Sequence, residues 1–448
     1  MATRPSSDSN ITDNRDIPSR LWSLAWPMIL GNLSVPLLGL VDTAVLGHLD
    51  DSRYLSAVAI GTSLLAFLYW GFGFLRMGTT GAAAQASQRE ERSALLFKAM
   101  VLALIIATGL LALGPLLISM GLAAMDAPGD LHGLASSYLS IRLFSAPAVL
   151  VTYCMVGWLV GRQQTRWPLI IALVTNLSNI FLDLLFVVGF GWQSDGAALA
   201  SVIAEYSGLG LGLYVLRHNL ADIARMGLPA AWRSGLPMGR LIASNRHLFI
   251  RTAALLFSFA FFTAQGTALG QNIVAANAIL IQLVLAAAYG MDGFAHATEG
   301  LVGEAWAEGN RARFLAICKY CFIWCGVSAL VASTLLWLGR DLIVQTMTDL
   351  PAIRELAQHY FGWVVLIPLI SVTCYVLDGI FIGVMASRAM QWCMLFSVVV
   401  VYLPCWWLTQ PWGNQGLWLA FAVFHIARGL SLAVIFPKLP RQLPATPP

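Results

Sequence analysis

The residues of this chain with the clearest chemical potential are acids and amides inside long apolar stretches. Asp42 lies within the first such stretch, residues 21–46, and Asn176, Asn179 and Asp183 lie within a later one. A carboxylate at the centre of a bilayer costs about 2.5–3.5 kcal/mol on insertion scales, so it usually faces a cavity and takes part in ion or substrate movement. These residues therefore predict a transport site inside a membrane.

Spacing places several of these groups on shared helix faces. Asn176, Asn179 and Asp183 stand at i, i+3 and i+7, and Ser201 and Glu205 stand at i and i+4 in the next stretch. Two carboxylates that share a medium of low dielectric do not both ionise easily, so one of them can hold a proton. The alternative is that the acids only form hydrogen bonds between helices. The residues predicted to build the coupling and substrate cavity are Asp42, Asp183, Asn179, Asn176, Ser201 and Glu205.

The second half of the chain contains its own intramembrane acids. Asp292 and Glu299 stand at i and i+7 on one predicted helix face, and Asp378 lies in a later stretch. They form a candidate second site, with a structural role for Asp292 and Asp378 as the alternative. Four arginines lie near predicted span ends and are expected to extend to the headgroups: Arg76, Arg142, Arg251 and Arg428.

Two prolines predict a bending point in the first apolar stretch. Pro27 and Pro36 both precede Asp42, and each removes a backbone hydrogen bond and favours a kink. A hinge at these prolines would respond to protonation of Asp42. A fixed kink required for packing is the alternative, and the sequence does not separate the two.

Twelve apolar stretches must position these side chains. The chain is 58% hydrophobic and 11% charged, with a mean hydropathy of +0.74, which excludes an ordinary soluble domain. Most of the 26 Lys and Arg fall on one side if the amino terminus is inside, so both termini are expected to be cytoplasmic at the inner membrane. The stretches, each long enough to cross ~30 Å of hydrocarbon, are approximately 21–46, 54–77, 93–120, 134–161, 168–190, 195–217, 245–270, 273–298, 312–338, 354–384, 387–409 and 415–437.

An internal duplication divides these stretches into two sets of six. A shift of 219 positions aligns Gly81 with Gly300, and a shift of 222 aligns Gly161 with Gly383. We therefore expect an all-α polytopic membrane protein with two six-helix bundles, related by a pseudo-two-fold axis along the membrane normal. The predicted parts are a disordered cytoplasmic tail (1–20), an N-lobe (21–218), a cytoplasmic amphipathic linker (219–244), a C-lobe (245–437) and a second cytoplasmic tail (438–448).

Three runs of sequence resemble the multidrug and toxic compound extrusion (MATE) family, specifically its DinF-type branch: WPMILGNLSVPLLGLVDTAVLGHL, LRMGTTGAAAQA and NLSNIFLD. The resemblance covers residues 20–437. It implies a twelve-helix antiporter that exports amphipathic, often cationic compounds in exchange for protons or sodium. It also implies that Asp42 and Asp183 are the first-helix and fifth-helix carboxylates of the family, with Asn179 as the amide partner. Ser201 matches a sixth-helix hydroxyl, and Pro27 matches the proline at the bending point.

The chain departs from the NorM-type branch of that family, which places an acid in the seventh helix. Residues 249–270 contain no acid. This difference leaves Asp378 without an acidic companion there and favours proton coupling through the N-lobe. Sodium binding at the N-lobe site stays open as an alternative.

Other classes of function are less well supported by the sequence. Flipping of a lipid-linked precursor is the alternative within this fold, but it would need a basic central cavity. The sequence has no HExxH pattern, P-loop or nucleophile elbow, so we do not expect an enzyme. No cofactor or metal site is predicted, and the scattered basic residues do not indicate nucleic acid. The expected partners of a monomer are small amphipathic or cationic substrates, H+ or Na+, and the lipid bilayer.

Overall fold

The structure is a computed structural model that describes residues 16–47, 51–125 and 128–443; the side chains of residues 35–47, 52 and 130 are not part of the description. Every regular element within these ranges is a helix. Helices suit a bilayer because each satisfies its own backbone hydrogen bonds where water is absent.

The first half of the described chain runs from α1 to α9. A π-helical turn, Leu184–Gly189, follows α8 directly. The helices are α1 (Ile17–Gly47), α2 (Ser52–Gly71), α3 (Phe74–Gln85), α4 (Arg89–Ala112), α5 (Gly114–Ala124), α6 (Gly129–Leu143), α7 (Ala146–Gly161), α8 (Arg166–Asp183) and α9 (Gln193–Val215).

Two short helices connect this half to the second. A π-helical segment, Phe396–Tyr402, lies between α16 and α17. The remaining helices are α10 (Arg217–Met226), α11 (Leu228–Arg233), α12 (Met238–Leu269), α13 (Gln271–Ala307), α14 (Arg311–Met347), α15 (Pro351–Gly383), α16 (Ser387–Leu395), α17 (Leu403–Thr409) and α18 (Asn414–Ile435).

The described helices confirm the predicted all-α polytopic fold. Ten helical runs are long and apolar enough to cross a membrane, and α6 with α7 forms an eleventh span that bends by 48°. The bend lies where Pro147 enters the first turn of α7, because proline cannot continue the hydrogen bonding of the preceding helix. With the 31 residues of α1, these runs match the twelve predicted stretches in order.

The duplication is visible in the packing. Gly161 of α7 lies against the backbone carbonyl of Thr80 in α3, and Gly383 of α15 lies against that of Glu299 in α13. The predicted shift of 222 positions takes Gly161 to Gly383, and the shift of 219 takes Thr80 to Glu299, so the first contact becomes the second. The two halves therefore use the same helix packing at equivalent places.

Two large apolar clusters, with a third small one around Met291, fill the space between the described helices. The larger one contains residues of both halves, including α3, α4 and α7 together with α13 and α15. The smaller one lies in the second half around Phe262, Tyr402, Trp418 and Phe421, where the rings of Phe262 and Trp418 meet edge to face at 4.9 Å. The larger cluster therefore joins the halves, whereas the smaller one stabilises the second half alone.

The connection between the halves packs against α4. Lys98 of α4 is fully buried, and its Nζ donates to the carbonyls of Ser234 at 2.6 Å and Leu236 at 2.8 Å. Arg89 at the start of α4 forms an ion pair with Asp222 of α10 at 2.7 Å. These contacts attach the connection to the first half up to Leu236, two residues before α12 begins. The predicted placement of this linker on lipid headgroups stays a prediction.

Candidate cation and substrate site

Three helices, α1, α8 and α9, position the predicted N-lobe residues. The amide of Asn176 donates to the hydroxyl of Ser34 at 3.0 Å, which joins α8 to α1. The amide of Asn179 donates to the hydroxyl of Ser201 at 3.2 Å, which joins α8 to α9. The predicted polar face of α8 therefore points towards its neighbours in the protein, as buried amides require.

The direction of α1 relative to α8 follows from two contacts. Gly31 of α1 lies near Leu169 of α8, and Ser34 lies near Asn176 further along both helices. Because residue numbers rise together along the two helices, α1 and α8 run in the same direction.

This register decides the relative height of the two predicted coupling carboxylates. At 1.5 Å per residue, the rise from Ser34 to Asp42 is about 12 Å and the rise from Asn176 to Asp183 is about 10.5 Å. On ideal helix geometry, the backbones of Asp42 and Asp183 are therefore expected at similar levels. The side chains of Asp42 and Pro36 lie outside the described part of the chain, so their contacts stay predictions, whereas Pro27 is buried within the continuous helix α1.

Asp183 occupies a special place in its helix. It is the last residue of α8 and is 2% exposed, and the π-helical turn begins at the next residue. Such turns frequently occur at functional sites because they change the direction in which side chains project. The local sequence places this carboxylate at the end of the amide-bearing face, one turn beyond Asn179.

Glu205 lies one turn from Ser201 on α9 but away from Asp183. The helices α8 and α9 are joined by a short connection and run in opposite directions, with the Asn179–Ser201 hydrogen bond between them. Asp183 and Glu205 lie on opposite sides of this contact, about 12 Å apart along the axis. The opposite charge that acts on Glu205 is that of Arg142 in α6. The structure thus does not place Glu205 beside Asp183.

Asp378 of α15 has two arginine partners. Arg251 of α12 and Arg428 of α18 both donate to its Oδ2, the latter at 2.9 Å. Arg251 and Arg428 are 4% and 5% exposed, so the prediction that they extend to the headgroups is wrong. The helix α12 begins at Met238, earlier than the predicted stretch, and Arg251 consequently lies deep in it. Buried charges need partners of opposite sign, and Asp378 supplies one to both arginines.

The other two predicted C-lobe acids both lie on α13, and one of them is paired with an arginine. Glu299 of α13 is 1% exposed and forms an ion pair with Arg76 of α3 at 3.0 Å. Asp292 is half-buried, two turns earlier on α13, and forms no ion pair within 4.0 Å among the described side chains. Sequence reasoning missed these arginine partners because they come from helices distant in the chain.

These features define a class of protein. A helical membrane protein with about twelve spans, a repeated half and buried acids inside the spans has the architecture of a secondary transporter. The MatE family model matches residues 27–185 and 248–407, and the chain belongs to the MATE family of multidrug and toxic compound efflux transporters. The two matches begin 221 positions apart, in agreement with the shifts found in the sequence.

Relatives and solved structures agree with this assignment. The chain is 41% identical over 423 residues to DNA damage-inducible protein F of Escherichia coli, covering 93% of this chain and 91% of that protein, which supports the DinF-type branch. It is 28% identical to a probable multidrug resistance protein NorM of Xanthomonas campestris pv. campestris, with 94% of each chain covered. The crystal structures of a MATE protein in the straight and the bent conformation both superpose with a TM-score of 0.79, at 18% and 17% identity. They cover 94% and 97% of this chain and 96% and 98% of those chains, and they show the same fold.

Proposed function

We propose that this protein exports amphipathic, often cationic molecules across the inner membrane in exchange for protons, with Asp42 and Asp183 as the coupling carboxylates. The observation that supports this most directly is the parallel register of α1 and α8, set by the Ser34–Asn176 hydrogen bond. On ideal helix geometry, this register would put the two acid-bearing positions at similar levels inside the spans. Two carboxylates at one level in low dielectric favour a state with one proton between them.

The exchange follows from competition for negative charge. A cationic substrate binds best when the carboxylates are ionised, and arrival of a proton removes the charge that held it. A bound ion changes a conformational equilibrium only if it binds the two states with different affinity, and a proton at this site meets that requirement. Asn176, Asn179 and Ser201 keep α1, α8 and α9 in register. Sodium at the same site is the alternative coupling ion.

The arginine partners of Asp378 and Glu299 favour placing the coupling site in the first half. A proton or sodium ion arriving at Asp378 would have to compete with Arg251 and Arg428, which already donate to its Oδ2. Glu299 is likewise paired with Arg76. A carboxylate paired with such a guanidinium group makes a poor exchange site for small cations, because the guanidinium stays charged throughout the physiological pH range.

The proposed arrangement in the membrane has both termini in the cytoplasm, with an N-lobe, a cytoplasmic linker and a C-lobe. The bias of Lys and Arg towards one side supports this orientation. In it, the carboxyl-terminal ends of α3, α7, α13 and α15 face the cytoplasm. A bend of α1 at Pro27 or Pro36 would follow protonation of Asp42.

The test is flux of a cationic dye into vesicles containing the purified protein, under separately imposed pH and sodium gradients. We expect the pH gradient to drive flux in the wild-type protein and to fail in Asp42→Asn. The exposed acid Asp341, paired with its neighbour Arg340 at a helix end, supplies the matched control Asp341→Asn. Unimpaired pH-driven flux in Asp42→Asn would refute the coupling role, and flux driven by sodium alone would assign the alternative ion.

A further inference from the structure

The two halves meet along a seam at one end of the molecule. We define this seam by Gly81 of α3, Val160 of α7, Gly300 of α13 and Ile382 of α15. Gly81 lies against the carbonyl of Ile382, and a Cβ on Gly300 would lie 2.7 Å from the carbonyl oxygen of Val160. Glycine at these positions permits the backbones of opposite halves to touch. The internal repeat relates the two contacts to each other, so the halves touch on both sides of the pseudo-two-fold axis.

The amino-terminal part of α1 completes this closed end. Gly293 of α13 lies against Ala25 and Ile29 of α1, and the ring centroids of Trp22 and Phe294 are 5.6 Å apart. The same helix contacts α8 further along, at Ser34. The helix α1 therefore lies across the junction of the halves at the end where the seam is closed.

One buried ion pair crosses this junction. Arg76 Nη1 lies 3.0 Å from Glu299 Oε2, and Arg76 Nη2 lies 3.4 Å from Glu299 Oε1, so the pairing is bidentate. The carboxylate side chain is 1% exposed and the arginine side chain 14%. The two residues belong to different matches of the family model. Arg76 lies five residues from Gly81, and Glu299 is next to Gly300, so both are close to the seam.

Polar contacts nearer the edge of this end differ in their exposure. Gln163 donates to Glu304 at 3.0 Å across the same junction, and Arg20 donates to Gln163 at 2.6 Å. Arg20 is half-exposed and Glu304 about one third exposed, so water competes for these groups. The Arg76–Glu299 pair is screened from water as long as the seam is closed, and its attraction is correspondingly stronger.

We propose that the Arg76–Glu299 ion pair is a latch that stabilises the state closed at the seam and that breaks whenever the two halves separate there during transport. The proposal rests on the proposed export function, because a substrate that enters from the cytoplasm requires this cytoplasmic end to open in each cycle. Opening would carry the two charges apart with their halves and admit water to both. Their mutual attraction therefore favours one of the two states, which is the property that a conformational latch requires.

Removing one partner should act more strongly than exchanging the two charges. Glu299→Gln leaves the Arg76 guanidinium buried without its counter-charge in the closed state, whereas water solvates that charge in the open state. We expect the ratio of open to closed molecules to rise by roughly tenfold or more. The reversed pair, Arg76→Glu with Glu299→Arg, restores opposite charges across the junction and should return the ratio towards that of the wild-type protein.

The experiment measures the distance across the closed end by double electron–electron resonance in lipid nanodiscs. Spin labels are placed at Ser87→Cys, just beyond α3, and at Arg311→Cys, at the start of α14, with the partly exposed Cys405 replaced by Ser. Glu308→Gln is the matched control, because it removes an exposed ion pair with Arg313 that lies within the second half. We expect a longer distance population in Glu299→Gln, a wild-type distribution in the control, and recovery in the reversed pair.

A wild-type distance distribution in Glu299→Gln would overturn the latch. If that variant does not fold, Arg76→Lys replaces it, because lysine keeps the charge but loses the bidentate geometry. A smaller shift to long distances is then expected, and its absence would equally overturn the proposal. The measurement needs no ion gradient, so a failure of pH-driven dye flux would contradict the coupling role of Asp42 without changing this result.

Discussion

The two halves of the molecule repeat one helix arrangement, but the side chains around Asp183 differ from those around Asp378 and Glu299. In the first half, Asp183 lies at the end of a face that bears amides, with Asn179 bonded to a hydroxyl. In the second half, Asp378 accepts from two arginines and Glu299 from a third. A carboxylate bound by guanidinium groups is held in its ionised form, so Asp378 and Glu299 are poor places for proton exchange. The duplication therefore preserved the packing but gave these acids different polar neighbours.

The sharpest test of this comparison is neutralisation of the first-half acid. Asp183→Asn keeps the size and hydrogen-bonding capacity of the side chain but cannot exchange a proton, so pH-driven dye flux should fall to the level of empty vesicles. The exposed acid Asp195, at the start of α9, supplies the control Asp195→Asn. Retention of pH-driven flux in Asp183→Asn would remove this residue from the coupling site.

Truncation of the second-half acid should instead affect stability. Asp378→Ala leaves Arg251 and Arg428 buried without a counter-charge, and breaking a buried pair in this way typically costs about 3–5 kcal/mol. Thermal unfolding of the purified protein in detergent would measure the loss. A melting temperature equal to that of the wild-type protein would show that the arginines find other partners, and would weaken the contrast between the halves.

The buried Lys98 of the first half has backbone carbonyls as its partners, and its removal tests whether they hold the connection in place. Lys98→Met removes the donor to the carbonyls of Ser234 and Leu236, and leaving these partly buried acceptors unsatisfied should destabilise the fold by about 1–3 kcal/mol. The connection before α12 should also become more sensitive to protease. The exposed Lys438 gives the control Lys438→Met, for which neither change is expected. Equal protease sensitivity of both variants would contradict the anchoring role.

The smallest expected effect concerns the hydrogen bond between α8 and α9. Ser201→Ala removes the acceptor of the Asn179 amide, which should cost about 0.5–1.5 kcal/mol of stability. If the bond also keeps the site in register, dye flux should fall by more than the change in folded protein explains. The comparison variant is Ser207→Ala on the same helix, because the Ser207 hydroxyl donates to the carbonyl of Ile203 one turn earlier.

Much of the fold could be predicted because its signals are local. Hydrophobic length marks each span, and the order of matching glycines in the two halves marks the repeat. The shared face of Asn176, Asn179 and Asp183 follows from helical periodicity alone. These features depend on residues within one helix, or on comparison of one part of the sequence with another, and they needed no knowledge of neighbouring helices.

The sequence by itself determined the membrane class, the spans, the repeat and the polar face of α8. The tertiary structure alone decided that Arg251 and Arg428 bind Asp378, from 127 and 50 positions away, and that Arg76 binds Glu299 from 223 positions away. It also decided that Glu205 lies apart from Asp183. The physical reason is that hydropathy and periodicity act along one helix, whereas the partner of a buried charge depends on which helices pack together and in what register.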